Sequence, residues 1–128
     1  MKSLITLLLI SIFTISCVKQ EPIPQAEMTG IWKLNGYQSS NYKVEITNDG
    51  YLYWWNYKDI FNYVEEFELE YDINRNEIRL FRPGGNIVRH RLSIYRQNRG
   101  GLYFSVPITG TDADGNTITN TDTYYKMN

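Results

Sequence analysis

The sequence predicts an all-β fold, a small antiparallel up-and-down barrel of about eight strands, and three observations carry that reading. Tyrosine occurs 11 times and aromatic residues make up 15% of the chain, a composition that suits pleated, half-buried strands better than helices. Residues 66–73 alternate strictly, with Phe67, Leu69, Tyr71 and Ile73 set between Glu66, Glu68, Glu70 and Asp72. One face of that strand is therefore apolar and the other charged. Turn signals rich in Gly, Asn and Asp recur along the chain, and no long amphipathic helix interrupts them.

The N-terminus precedes the barrel. Lys2 supplies a positive end, and residues 4–13 form an apolar run of signal-peptide length. A membrane-crossing helix needs about 20 apolar residues, and this run is shorter. Thr14-Ile15-Ser16-Cys17 follows and resembles the lipobox of bacterial lipoproteins, in which a small residue precedes the cysteine that is lipidated. Ser16 and Ile15 fit that pattern, while Thr14 departs from it. Cys17 is the only cysteine, so it has no disulfide partner within the chain, and a thioether to diacylglycerol gives the thiol a role. Long acyl chains of the palmitate type would then hold the protein on a membrane.

The resemblance implies that residues 1–16 are a signal peptide and that the mature chain starts at Cys17. Val18 stands where an Asp would signal inner-membrane retention in enteric bacteria, so the outer membrane is the expected address, with the periplasmic or surface face left open. Residues 19–27 place Pro22 and Pro24 among polar side chains and read as an extended tether. Residues 17–28 are thus assigned to lipidated cysteine and tether, and residues 29–128 to one barrel domain. Removing Lys2 from the 13 basic residues leaves 12 against 14 acidic ones, which gives no general drive toward nucleic acid.

From residue 30 the strands follow in turn. Residues 30–37 form the first, and Asn48-Asp49-Gly50 joins residues 42–47 to 51–57 as a hairpin, with Gly50 suited to a left-handed position. The strand over 66–73 turns at Asn74-Arg75-Asn76 and returns over 77–82. That register pairs Leu69 with Leu80 and Tyr71 with Ile78 inside, and Glu70 with Arg79 outside. Pro83-Gly84-Gly85 precedes a strand over 87–96, and Asn98-Arg99-Gly100-Gly101 precedes one over 102–106. Residues 112–116 turn into a last strand over 121–127.

Several of these landmarks together resemble a known family. Gly30-Ile31-Trp32 matches the Gly-x-Trp opening of lipocalins and related calycin barrels. The Gly-x-Trp-Lys-Leu run at 30–34, the Asn-Asp-Gly hairpin, Tyr71-Asp72-Ile73, Leu102-Tyr103-Phe104 and Tyr124-Tyr125-Lys126 are similar in order and spacing to short lipocalin-like domains of Bacteroidetes-type lipoproteins. The resemblance implies a lipocalin-like barrel with Gly30 and Trp32 as structural signature and Trp32 plugging one end.

Alternation predicts inward side chains at Trp32, Leu34, Tyr42, Val44, Ile46, Leu52, Trp54, Phe67, Leu69, Tyr71, Ile78, Leu80, Val88, Leu92, Ile94, Leu102, Phe104 and Val106. So many bulky occupants in an eight-stranded barrel predict a filled core. Tyr51, Tyr53, Trp55 and Tyr57 fall on the outer face as an aromatic stripe able to stack on sugar rings or anchor a partner, unless a loop or the tether covers it. His90, the only histidine, shares the inward parity of its strand and is expected in the core or at the barrel mouth, with Tyr71 as a companion should a cavity exist there.

All seven arginines lie between Arg75 and Arg99, beside the acids of residues 65–72; that segregation reads as cross-strand pairing or as an anion-binding patch. Asp112-Ala113-Asp114-Gly115-Asn116 lacks the spacing of a calcium loop. No nucleophile elbow, phosphate cradle or metal-ligand set is present, so no catalytic residue, metal or cofactor is expected. The expected function is a non-catalytic envelope lipoprotein whose barrel binds a small apolar or glycan ligand. The alternative is a protein-interaction lipoprotein with a filled core, acting as accessory subunit, inhibitor or immunity-type factor.

Overall fold

The computed structural model describes residues 21–36, 41–58, 60 and 62–128. The expected signal peptide and Cys17 lie outside those residues. A short helix α1 (Gln25–Met28) leads into nine strands: β1 (Gly30–Leu34), β2 (Lys43–Ile46), β3 (Tyr51–Trp55), β4 (Val64–Asp72), β5 (Glu77–Phe81), β6 (Val88–Ser93), β7 (Tyr95–Arg96), β8 (Leu102–Thr111) and β9 (Thr117–Lys126). They form one antiparallel sheet in the order β6-β5-β4-β3-β2-β1-β9-β8-β7, curled into a nearly closed barrel. The ninth strand comes from a break in the expected strand over 87–96. At Ile94 the backbone N–H leaves the ladder and donates to the Asn76 carbonyl at 2.8 Å. Before that break β6 pairs with β5, and after it β7 pairs with β8, so one bent strand joins the two ends of the sheet.

The two ends of the barrel differ. The turns at 47–50, 73–76 and 97–101 share one end, here called the base; the ends of β1, β3, β5 and β8 mark the other, the mouth. The base is closed by the chain that enters it. Ile23 and Met28 are fully buried, and the Trp32 indole N–H donates to the Met28 carbonyl at 3.0 Å. Asn76 fixes the entry. Its Oδ1 accepts from the Ile23 backbone N–H at 2.9 Å, and its Nδ2 donates to the Glu21 carbonyl at 3.0 Å. The Tyr71 hydroxyl donates to the Ile23 carbonyl at 2.6 Å. A four-residue helix has no stability of its own; α1 persists because Ile23 and Met28 bury apolar surface on either side of it. From Ile23 onward the expected tether is therefore part of the folded body, and polar composition with two prolines concealed two core residues.

The β4–β5 hairpin has the predicted register, with Leu69 opposite Leu80, Glu70 opposite Arg79 and Tyr71 opposite Ile78. Arg79 Nη2 lies 3.1 Å from Glu70 Oε1 on the outer face. Of the predicted inward residues, all but Val88 are buried or packed against the core. The exception has a local cause. His90 keeps the regular register opposite Leu80, but a bulge at Arg89 sets Val88 opposite Phe81, which carries Val88 to the outer side. Tyr57 errs in the other direction. Asn56 adopts a left-handed backbone (φ 55°), the strand parity ends there, and the Tyr57 ring turns inward onto Trp54 and Phe67 at 5.2 and 5.6 Å.

β8 and β9 are longer than the strands expected at 102–106 and 121–127. Their pairing runs from Tyr103–Tyr125 to Thr111–Thr117, whereas β7 leaves β8 after Tyr103 and β1 leaves β9 after Tyr124. The outer part is a two-stranded ribbon standing beside the mouth, roughly 20 Å long at about 3.3 Å per residue. Pro107 and Gly110 hid it from the sequence pattern. Pro107 sits on a strand with a free edge, the position where proline is tolerated.

Candidate functional site

The mouth holds a cavity of about 570 Å³. Its floor is Trp54, buried and ringed by Tyr57, Phe67, His90, Phe104 and Tyr124 at centroid distances of 5.2 to 6.4 Å. The indole N–H is spent on the Tyr124 hydroxyl at 3.0 Å. Below this floor Trp32, Phe67 and Phe104 fill the barrel, at 0 to 1% exposure. The expectation of a filled core therefore holds for the lower part of the barrel and fails above Trp54. The result is a wide, shallow cup and not an axial tunnel.

The cup has two kinds of wall. Leu34, Val106, Pro107 and Ile108 supply an apolar side from β1 and β8. Asn56, Tyr57, Lys58 and His90 supply hydrogen-bonding groups from the ends of β3 and β6, while Asn120 and Asp122 of β9 stand opposite Ile108 and Val106 within the apolar side. The left-handed turn at Asn56 directs Tyr57 inward, ordinary strand alternation opposite Leu80 points His90 inward, and the Tyr57 hydroxyl and His90 Nε2 meet in a hydrogen bond. Burial holds the imidazole below its ordinary pKa, helped by the neighbouring Arg89 and opposed by Glu65. His90 is thus neutral at neutral pH, with its Nε2 engaged by the Tyr57 hydroxyl. Burial likewise pushes the Tyr57 phenol up, with Glu65 adding to the effect. Asn56 is 7% exposed; its Nδ2 donates to the Asn41 carbonyl, while its Oδ1 is buried with no hydrogen-bond partner among the described residues.

The residues singled out in the sequence do not converge. His90 reaches the cup, joined by Tyr57 from the expected outer stripe. Tyr71, expected beside it, lies at the base, bonded to Ile23 and Asn76 at 2.6 and 3.0 Å. Tyr51, Tyr53 and Trp55 are half-buried on the outer face of β3, on the opposite side of the strand from Trp54. Trp55 is covered by the Lys43 ammonium, 4.6 Å from its ring centroid, and Tyr53 faces Glu45 and Glu66 across the sheet. Gly30 opens β1 at φ 132°, a conformation L side chains rarely adopt, and Trp32 is fully buried.

The arginine-rich region is largely neutralised by ion pairs: Arg75–Asp72, Arg79–Glu70, Arg82–Glu65, Arg91–Glu77 and Arg96–Glu27. The Asp112 carboxylate closes its own turn, accepting from the N–H groups of Asp114 and Asn116 at 3.0 and 2.8 Å. Sequence reasoning missed Asn56, Lys58, Asn120, Asp122 and Tyr124. The last three share one parity on β9, and extending the final strand back through Asn120 would have placed them on the inner face.

Comparisons with protein-family models, curated proteins and solved structures returned no match to this chain.

Proposed function

We propose that this chain is a lipid-anchored, non-catalytic envelope protein whose lipocalin-like barrel binds a compact, ring-bearing small molecule in the cup above Trp54. The observation that carries the reading is the contrast within one barrel: a fully packed base and a cavity of about 570 Å³ at the mouth. That volume lies in the range of small-molecule sites. The filled core below Trp54 disfavours a long acyl chain threaded along the axis. A lining that sets apolar side chains beside amide, hydroxyl, carboxylate and imidazole groups suits a ligand that carries both apolar and hydrogen-bonding surface. Sugar rings have that character, and a glycan unit is the ligand class we favour. Anchorage rests on the lipobox resemblance ending at Cys17.

The test isolates the protein from its native envelope, as wild type and as Val106→Trp, and identifies bound small molecules by mass spectrometry. The added indole fills the cup. A polar ring compound recovered with wild type and lost from the variant supports the reading; equal recovery from both, or none from wild type, refutes it.

A protein partner is the second reading, and the rim favours it. Ile60, Ile87 and the pair Ile108 and Ile118 of the β8–β9 ribbon are exposed at the mouth end, Ile87 at 70%. Exposed isoleucines gathered at one end form the apolar element of a contact surface. Ile87→Asp with Ile118→Asp would abolish such a contact and leave small-molecule recovery unchanged.

A further inference from the structure

The two ends of the barrel also differ in where the chain enters, and that decides which end meets the membrane. Glu21 and Ile23 are tied by Asn76 to the β4–β5 turn at the base. Only residues 18–20 separate Glu21 from Cys17, and four residue steps at about 3.3–3.6 Å each span at most about 14 Å. A lipid on Cys17 therefore keeps Glu21 within about 14 Å of the cysteine, so the base cannot stand far off the bilayer. The mouth is remote from that point: β4, nine residues at about 3.3 Å each, extends roughly 30 Å from the same turn.

The surface beside the entry point is suited to a lipid interface. The β4–β5 turn presents Ile73, 47% exposed, next to Arg75, whose side chain is 74% exposed. Among the described residues Arg75 makes one long ion pair, 3.9 Å to Asp72. Met127 and Tyr95 are exposed at the same end. An apolar side chain flanked by an extended guanidinium matches the boundary between acyl chains and headgroup phosphates.

We infer that the base rests on the bilayer, with the Ile73–Arg75 turn at the headgroups, and that the cup opens away from the membrane toward the aqueous compartment. This inference rests on the lipidation of Cys17 proposed above. It implies that ligand reaches the cup from solution and that a partner seated on the isoleucine rim approaches from the side opposite the anchor.

Because lipid consumes the only native thiol, an added cysteine is the sole labelling site. The full lipidated chain is prepared as Ile73→Cys and as Ile118→Cys, spin-labelled, and placed in phosphatidylethanolamine–phosphatidylglycerol vesicles. Collision rates with a bilayer-soluble and a water-soluble relaxant are then compared. The inference expects a several-fold higher bilayer-to-water ratio at position 73 than at 118. Equal ratios, or a higher ratio at 118, overturn it. The mass of the mature protein is measured first: a free Cys17 thiol removes the anchor reading itself, whereas diacylglyceryl-Cys17 with an aqueous label at 73 removes only the orientation.

Discussion

The base and the mouth are built from the same strands and follow opposite rules. At the base each polar group that enters the interior meets a partner: Asn76 bonds Glu21 and Ile23, Tyr71 bonds Ile23, and Trp32 bonds Met28. At the mouth β6 carries a bulge, β8 and β9 run on as a projecting ribbon, and Asn56 Oδ1 is left without a partner among the described residues. Stability is concentrated at the end where the chain enters, and recognition at the end where it is least constrained.

The largest test of this contrast is Trp32→Ala. Removing a fully buried indole from the base should cost about 3–5 kcal/mol. In urea unfolding it lowers the midpoint with an unchanged slope. An equivalent loss from Val106→Ala, at the half-buried rim of the cup, would erase the distinction between the ends.

Asn76→Ala comes next. It removes the side chain that fixes Glu21 and Ile23, leaves buried backbone groups unmet, and should cost about 1–3 kcal/mol. Hydrogen exchange should show faster opening of residues 23–28 with little change at the mouth. Uniform acceleration throughout the barrel would mean that the N-terminal plug is not a separable latch.

A pH titration addresses the mouth. His90 is held below its ordinary value of about 6.5 by burial, so as pH falls the unfolded chain takes up its proton first. Stability is therefore full above about 6.5 and declines as pH drops from there toward the lower folded-state value. His90→Asn should flatten that part of the profile. A profile unchanged by the substitution would place the acid sensitivity elsewhere.

The smallest expected effect is Glu70→Ala. Its ion pair with Arg79 lies on the outer face, with the carboxylate side chain 60% exposed, and should contribute about 0–1 kcal/mol. A larger loss would show that the outer surface, and not the base, carries stability.

What the sequence disclosed follows the same division. The β4–β5 register was legible because the inner and outer faces each accept one alignment, Leu69 with Leu80 and Glu70 with Arg79. The inward set was legible wherever strict alternation continued. His90 was legible in this way, but Tyr57 beside it was not, because its inward turn depends on the positive φ of Asn56, which leaves no period-two trace. The ribbon was hidden by Pro107 and Gly110, residues that ordinarily end strands. The plug was hidden because Ile23 stands between prolines, with the buried Met28 five residues on.

The three tryptophans mark the three places where a ligand could act: Trp32 at the base, Trp54 under the cup and Trp55 on the outer face of β3. Their indole N–H signals, resolved by ¹⁵N labelling and titrated with a panel of mono- and disaccharides, test the cup most directly. Binding in the cup should move the Trp54 signal and the side-chain amides of Asn56 and Asn120, with Trp32 and Trp55 stationary. A response led by Trp55 would transfer recognition to the aromatic stripe, and a response at Trp32 would contradict the closed base.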